Sequence, residues 1–250
     1  MVRLEGITKA VHEPGRAPRT LLDGINLDIP EGCLYGVIGP GAAGKSVLLK
    51  VMTGLMKPDV GQVRIGADRL TGAPEVEVQE IRKRIGMLFQ NNALFQHLTV
   101  FENVAFPLRR LYALPEAEVR ERVRERLACV SLPGFEDRMP DQLSGGQKKR
   151  VGVARATVTR APLVLYDEPA AGLDPVTSQK IFDLLRSEQR AAGATAIMVS
   201  SDLDRLLTVA DRVGMMFRGR LIFDGTTDEV RACAEPHVRQ FVNGLTEGPL

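Results

Sequence analysis

The chain has 250 residues, 44% of them hydrophobic and 26% charged, which suits one large globular domain and excludes wholesale disorder. Lys plus Arg number 33 and Asp plus Glu 31, so a net charge of +2 gives no support to a protein that coats nucleic acid. Cys33, Cys129 and Cys233 lie about a hundred residues apart and His12, His97 and His237 are equally scattered, so neither a CxxC pair nor a Cys/His metal cluster is readable. The odd thiol count implies reduced cysteines in a cytosolic protein. The N-terminus has no apolar leader, and no stretch reaches the roughly 18 apolar residues of a spanning helix.

In chain order, the first 35 residues and Val60 to Leu70 predict short β segments with polar turns, enough for a small antiparallel layer. Leu34 to Ile38, Leu163 to Tyr166 and Ala194 to Val199 are continuous apolar runs, the pattern of strands buried on both faces, and Val213 to Phe217 is a fourth candidate. Helices are predicted at Lys45 to Leu55, Val176 to Ala192 and Leu203 to Ala210, each following one of the first three runs. That alternation implies a largely parallel sheet with crossover helices. From Thr99 to Thr159 strand signals are almost missing. Pro115 to Val130 puts Val119, Val123, Leu127 and Val130 on one helical face, against a solvated face of Glu and Arg. A helical insert in an α/β domain is the economical picture.

Three segments carry chemistry. GPGAAGKS, from Gly39 to Ser46, fits GxxxxGK[ST] between a predicted strand and a predicted helix. Gly39, Gly41 and Gly44 let the backbone curl so that N–H groups face phosphate oxygens, and the helix start adds its positive end. Lys45 would reach the β and γ phosphates, and the Ser46 hydroxyl would ligate Mg²⁺. LVLYDEP, Leu163 to Pro169, ends a buried strand in two carboxylates. Asp167 would sit near Mg²⁺, directly or through water, and Glu168 would polarise an attacking water. Standing alone, those carboxylates are as simply an acidic loop capping the next helix. LSGGQKKR, Leu143 to Arg150, reads as the N-cap Ser144 followed by two glycines at a helix start, a second anion-binding device.

In this order the three segments resemble the nucleotide-binding subunit of ABC transporters, over nearly the whole chain. The resemblance implies a P-loop NTPase, ABC-type α/β fold with a small antiparallel β layer. A helical subdomain at about residues 95–159 and a C-terminal tail at about 228–250 belong to a single ATPase domain spanning 1–250. It implies ATP and Mg²⁺ as ligands, with Gly39, Pro40, Gly41, Ala42, Ala43, Gly44, Lys45, Ser46 and Val47 around the phosphates. Ser144, Gly145, Gly146 and Gln147 would face the ATP of the other subunit in a head-to-tail homodimer. Gln90, in MLFQ, takes the position that senses Mg²⁺ and the transport partner, and Ala171 to Asp174 (AGLD) matches the loop that crosses the dimer interface. Ser46, Gln90 and Asp167 become the Mg²⁺ set.

Within the family, Arg82 to Arg109, with its doubled LF and its AFPLR ending, looks like the ATPases of Mla/Mce-type phospholipid transporters. So do Val47 and the tail EPHVRQFVNGLTEGPL. In those systems the ATPase sits on the cytoplasmic face of the inner membrane with an integral permease, an Mce-domain lipid-binding protein and a small regulatory subunit. Phe95, Leu98 and Phe101 would then line a permease groove or form the insert's core, and His97 reads as a surface or packing residue.

Two positions depart from the family pattern. Ser201 stands where a switch histidine is expected, implying slow turnover or hydrolysis confined to the full transporter. No aromatic residue occurs in residues 1–34 to stack on adenine, and Val11, beside His12, falls at that place, implying loose base preference. The competing functional classes are a soluble ABC ATPase, as in cluster assembly, and a nucleotide-sensing regulator with weak turnover. The chain lacks the long coiled coil of repair members and the second cassette of translation members.

Overall fold

The computed structural model describes residues 1–12 and 17–250. From the N-terminus, the elements are β1 (Val2–Val11), β2 (Arg19–Ile29), β3 (Leu34–Ile38), α1 (Lys45–Met52), β4 (Val60–Ile65), β5 (Asp68–Arg69) and α2 (Glu75–Arg82). The middle holds β6 (Ile85–Leu88), α3 (Val100–Leu111), α4 (Glu116–Cys129), α5 (Gly145–Thr157), β7 (Leu163–Asp167) and α6 (Pro175–Ala192). The chain closes with β8 (Thr195–Val199), α7 (Leu203–Val209), β9 (Arg212–Phe217), β10 (Arg220–Thr226), α8 (Thr227–Ala232) and α9 (Pro236–Asn243). These form two compact units: residues 1–82 with 195–250, and residues 83–194.

The first unit contains two sheets. One is antiparallel in the order β2-β1-β4-β5, the small layer expected from the sequence. Val2, Leu4 and Ile7 of β1 are buried, as are Leu22, Ile25, Leu27 and Ile29 of β2. The other sheet places β3 between β8 and β9, parallel to both, with β10 antiparallel on β9. All five residues of β3 and of β8 are buried, which is why their sequences are unbroken apolar runs. Within this sheet Tyr35 donates its hydroxyl to Asp224 at 3.0 Å, and burial pushes the phenol far above its ordinary pKa. α1 stops at Met52, short of the predicted Leu55: the Thr53 hydroxyl folds back on the carbonyls of Leu49 and Lys50, and Gly54 takes φ 69°.

The second unit pairs β6 and β7 in parallel and surrounds them with α3 to α6. Val119, Val123 and Leu127 of α4, and Val130 just beyond it, are buried as their spacing predicts. Glu118 and Arg122 pair across one turn of the polar face. Arg126 lies on the buried side and pairs with Glu188 of α6. Asn103 of α3 is fully buried and organises the preceding loop: its Nδ2 donates to the carbonyls of Phe95, Leu98 and Thr99, and its Oδ1 accepts from the Phe95 N–H at 2.8 Å. Phe95, Leu98 and Phe101 are half-buried and do not form the core of the unit.

Candidate functional site

The phosphate loop leaves β3 at Gly39 and enters α1 at Lys45. Its curl rests on three residues of positive φ: Gly39 at 136°, Ala42 at 58° and Gly44 at 102°. Ala42 is costly in that region, about 1–2 kcal/mol. The β9–β10 hairpin fixes the loop from beside it. A Cβ at Gly39 would come within 2.1 Å of the Met216 carbonyl oxygen, and the Gly219 N–H donates to the Ala43 carbonyl at 3.2 Å. Gly41 is exposed, and a Cβ there would meet nothing within 4 Å. Lys45 Nζ donates to the carbonyls of Gly39 and Pro40 at 2.7 and 2.8 Å, so the ammonium lies over the loop. Gly44 begins α1 without a side-chain cap, and a helix start carries the positive end that favours an anion. Pro40, Ser46 and Val47 are half-buried and Ala43 is buried.

Ser201 and Val11 belong to the same unit. Ser201 is exposed just beyond β8, next to Ser200, whose hydroxyl accepts from the Asp202 N–H at 3.0 Å, while Asp202 caps α7. Val11 ends β1 opposite Arg19 and is 36% exposed, and His12 beside it is exposed. The tail forms α8 and α9 and then turns back. The buried Gln240 donates to the Leu245 carbonyl and accepts from the Leu250 N–H at 2.8 Å. A cavity of about 280 Å³, lined by Val51, Met56, Leu70 and Val78 with Lys57 and Glu75, includes none of the residues singled out by the sequence.

In the second unit β7 ends on the buried Asp167. Glu168 follows at φ 53°, a left-handed conformation that is unusual for glutamate. Its carbonyl accepts from Lys149 Nζ at 3.0 Å and from the Ala171 N–H at 3.3 Å. The helix-capping alternative for this acidic pair is answered by Asp174. That side chain caps α6, accepting from the N–H groups of Val176 and Thr177 at 3.0 and 2.9 Å. Hydrogen bonds from Thr177, side chain before backbone, hold its carboxyl below the usual range.

Ser144 caps α5 as its sequence predicts, in a capping box: the Gln147 N–H donates to Ser144 Oγ, and the Ser144 N–H donates to Gln147 Oε1. Gly145 is exposed and faces open space, and Gly146 approaches Leu173. Gln90 is exposed, and its main-chain carbonyl accepts from Lys149 Nζ at 2.8 Å. Lys149 was missed by sequence reasoning, although helix phase carried the signal. It lies on the buried face of α5 with Val153 and Ala156, at spacings of four and seven. The Mg²⁺ donors named from the sequence (the Ser46 hydroxyl, the Gln90 amide and the Asp167 carboxylate) supply oxygen ligands, the chemistry a hard divalent cation takes.

Among the described residues no helix is long and apolar enough to cross a membrane. The family model described as "ABC transporter" matches residues 22–171. The probable ribonucleotide transport ATP-binding protein mkl of Mycobacterium leprae is 36% identical, over 100% of this chain and 70% of its own length. The methionine import ATP-binding protein MetN of Rhodopseudomonas palustris is 39% identical, over 98% and 66%. The intermembrane phospholipid transport system ATP-binding protein MlaF of Escherichia coli K12 is 34% identical, over 94% and 87%. Among solved structures, the dimeric post-hydrolysis state of the ATP-binding cassette MJ0796 bound to ADP and Pi superposes with a TM-score of 0.86. It is 33% identical and covers 91% of this chain and 99% of that one.

Proposed function

The chain belongs to the ABC transporter family, as an ATPase that works on ATP with Mg²⁺, and from that premise we propose that it powers phospholipid transport between membranes through a separate integral permease. The observation that carries this reading is the MlaF match, which spans 94% of this chain and 87% of that relative. The segment from Arg82 to Arg109 and the tail after Glu235 support the same branch. On this reading two copies meet head to tail at the cytoplasmic face of the membrane. An Mce-domain lipid-binding protein and a small regulatory subunit complete the assembly.

The residues then take the following roles. Gly39 to Val47 wrap the phosphates, Lys45 shifts its ammonium from loop carbonyls to phosphate oxygens, and Val11 lies against the base. Ser46, Gln90 and Asp167 would hold Mg²⁺, which when bound neutralises charge on the phosphates. Glu168 takes the proton of the attacking water. Ser144 to Gln147 offer a helix start to the partner copy's ATP, and Asp174 orders the loop at the copy–copy boundary. Ser201, short and untitratable, contributes less to hydrolysis than an imidazole. The helical subdomain at residues 95–159 and the tail at 228–250 are proposed as the partner-facing parts.

The test is purification of the complex from membranes, with mass spectrometry of the attached permease and of any small molecule it carries. A phospholipid with an Mce-domain protein is the expected result. Methionine or a ribonucleotide, the cargoes named for the other relatives, would overturn the phospholipid reading and leave the ATPase standing.

A further inference from the structure

The two polar bonds of Lys149 join places that the proposed mechanism treats separately. Lys149 is 4% exposed, and its ammonium reaches the main-chain carbonyls of Gln90 and Glu168 at 2.8 and 3.0 Å. A buried cation needs compensation. Burial pushes its pKa down, and the carboxylates of Glu168 and Asp167 oppose that shift.

Both ends of this tie have unusual backbone. Glu168 holds φ 53°, and such a conformation persists only where neighbours over-determine it. Lys149 and the Ala171 N–H both donate to its carbonyl. After Gln90, Asn92 and Ala93 take φ 60° and 50°, and Arg155, further along α5, donates to both of their carbonyls. Between the two cations sits Gly152, where a Cβ would meet Leu88 at 2.8 Å and Asn92 at 3.3 Å. One face of α5 therefore seats the main chain from Gln90 to Ala93 closely. Through Lys149 that seat extends by a hydrogen bond to Glu168.

We propose that Lys149 is a positioning residue for ATP hydrolysis: its ammonium, shared between the carbonyls of Gln90 and Glu168, sets the backbone from which Glu168 works and passes displacements at Gln90 to it. The inference rests on the roles proposed above for Glu168 and Gln90. Lys149 acts through main-chain carbonyls, those of Gln90 and Glu168, and so supports the catalytic group without being one. Its removal leaves the phosphate loop unchanged, so the effect falls on kcat and spares KM.

The experiment compares the full chain, assembled with its permease, as wild type, Lys149→Met, Lys149→Gln and Glu168→Gln. Steady-state ATPase rates are read alongside backbone amide exchange. Lys149→Met is expected to lower kcat by about 10- to 100-fold, the scale of a small misplacement of a catalytic group, with KM for ATP within about twofold. Exchange should quicken at residues 90–93 and 168–171 together, while α5 stays protected. Lys149→Gln keeps an N–H donor and should recover part of the rate; it also carries the test should the Met variant fail to fold. Wild-type kcat in Lys149→Met beside an inactive Glu168→Gln would overturn this inference alone. So would equal losses in Met and Gln that track the folded fraction. Full turnover in Glu168→Gln would remove the premise, and the proposal with it.

Discussion

Gly39→Ala separates what the fold requires of the phosphate loop from what a ligand requires. The added Cβ would stand 2.1 Å from the Met216 carbonyl oxygen, more than 1 Å inside an ordinary C···O contact of about 3.3 Å. That oxygen belongs to the backbone of β9, which pairs with β3, so no side-chain rotation relieves the overlap. The φ of 136° adds backbone strain of about 1–3 kcal/mol, and overpacking adds about 1–3 kcal/mol more. A total near 4 kcal/mol is a large part of ordinary domain stability, about 5–15 kcal/mol. For a chain of this size it lowers Tm by about 8–16 °C. Gly41→Ala is the matched comparison, because its Cβ enters open space and its φ is not positive. It should keep Tm within about 2 °C without nucleotide, and on the proposed phosphate-binding role of the loop it should show a smaller rise with Mg-ATP. Thermal melts of both variants, with and without Mg-ATP, decide the matter. A Gly39→Ala chain melting within 2 °C of wild type, or equal losses at both positions, would refute the reasoning.

Ser201→His should raise the ATPase rate of the assembled transporter by about tenfold or more, short of the roughly 100-fold at which a fully placed acid–base group begins. An unchanged rate at the usual family level would mean that another group already fills the role. With the base against Val11 and His12, as proposed, and no Phe, Tyr or Trp in residues 1–34, ATP and GTP should bind within about tenfold of each other in a fluorescence competition assay. Strong ATP selection that survives Val11→Ala and His12→Ala would contradict this. Asn103→Ala removes the amide's bonds to the part-buried carbonyls of Phe95, Leu98 and Thr99 and to the Phe95 N–H, and should cost about 3 kcal/mol in urea denaturation, while leaving KM for ATP unchanged. A cost below about 1 kcal/mol would show that the 95–99 loop is held by other contacts.

The legible parts of the fold were those where one physical demand acted alone. β3, β7 and β8 are buried on both faces, so unbroken apolar runs marked them to within a residue. The antiparallel layer was visible through its turns. β6 escaped notice because four residues, IGML, follow Arg82-Lys83-Arg84, and the unit admits the strand by bringing its backbone against α5: a Cβ at Gly86 would lie 2.3 Å from the Ala156 carbonyl. β10 escaped because its pairing with β9 shifts register between Leu221 and Phe223, which breaks the alternation a sequence reader counts. α2 has only Val78 and Ile81 buried, too few to stand out from its acidic residues.

At the site, motif spacing picked out the residue types that phosphate chemistry demands and was silent about groups that hold them in place. Gly39, Lys45, Asp167 and Glu168 are recognisable because phosphate chemistry demands their residue types. The supporting shell has no such alphabet. LSGGQKKR presents two adjacent lysines, and only helix phase separates them: Lys148 is half-buried, whereas Lys149 turns inward on the face shared with Val153 and Ala156. An inward lysine must find acceptors, and in this unit they are main-chain carbonyls of Gln90 and Glu168, which any residues at those positions would supply. Backbone acceptors leave no trace in composition or spacing. The reading that finds them runs the other way, from a cation on an apolar helix face to the question of which carbonyls it satisfies. Here it leads from a lysine outside the motif's phosphate groups to the strained backbone of Glu168.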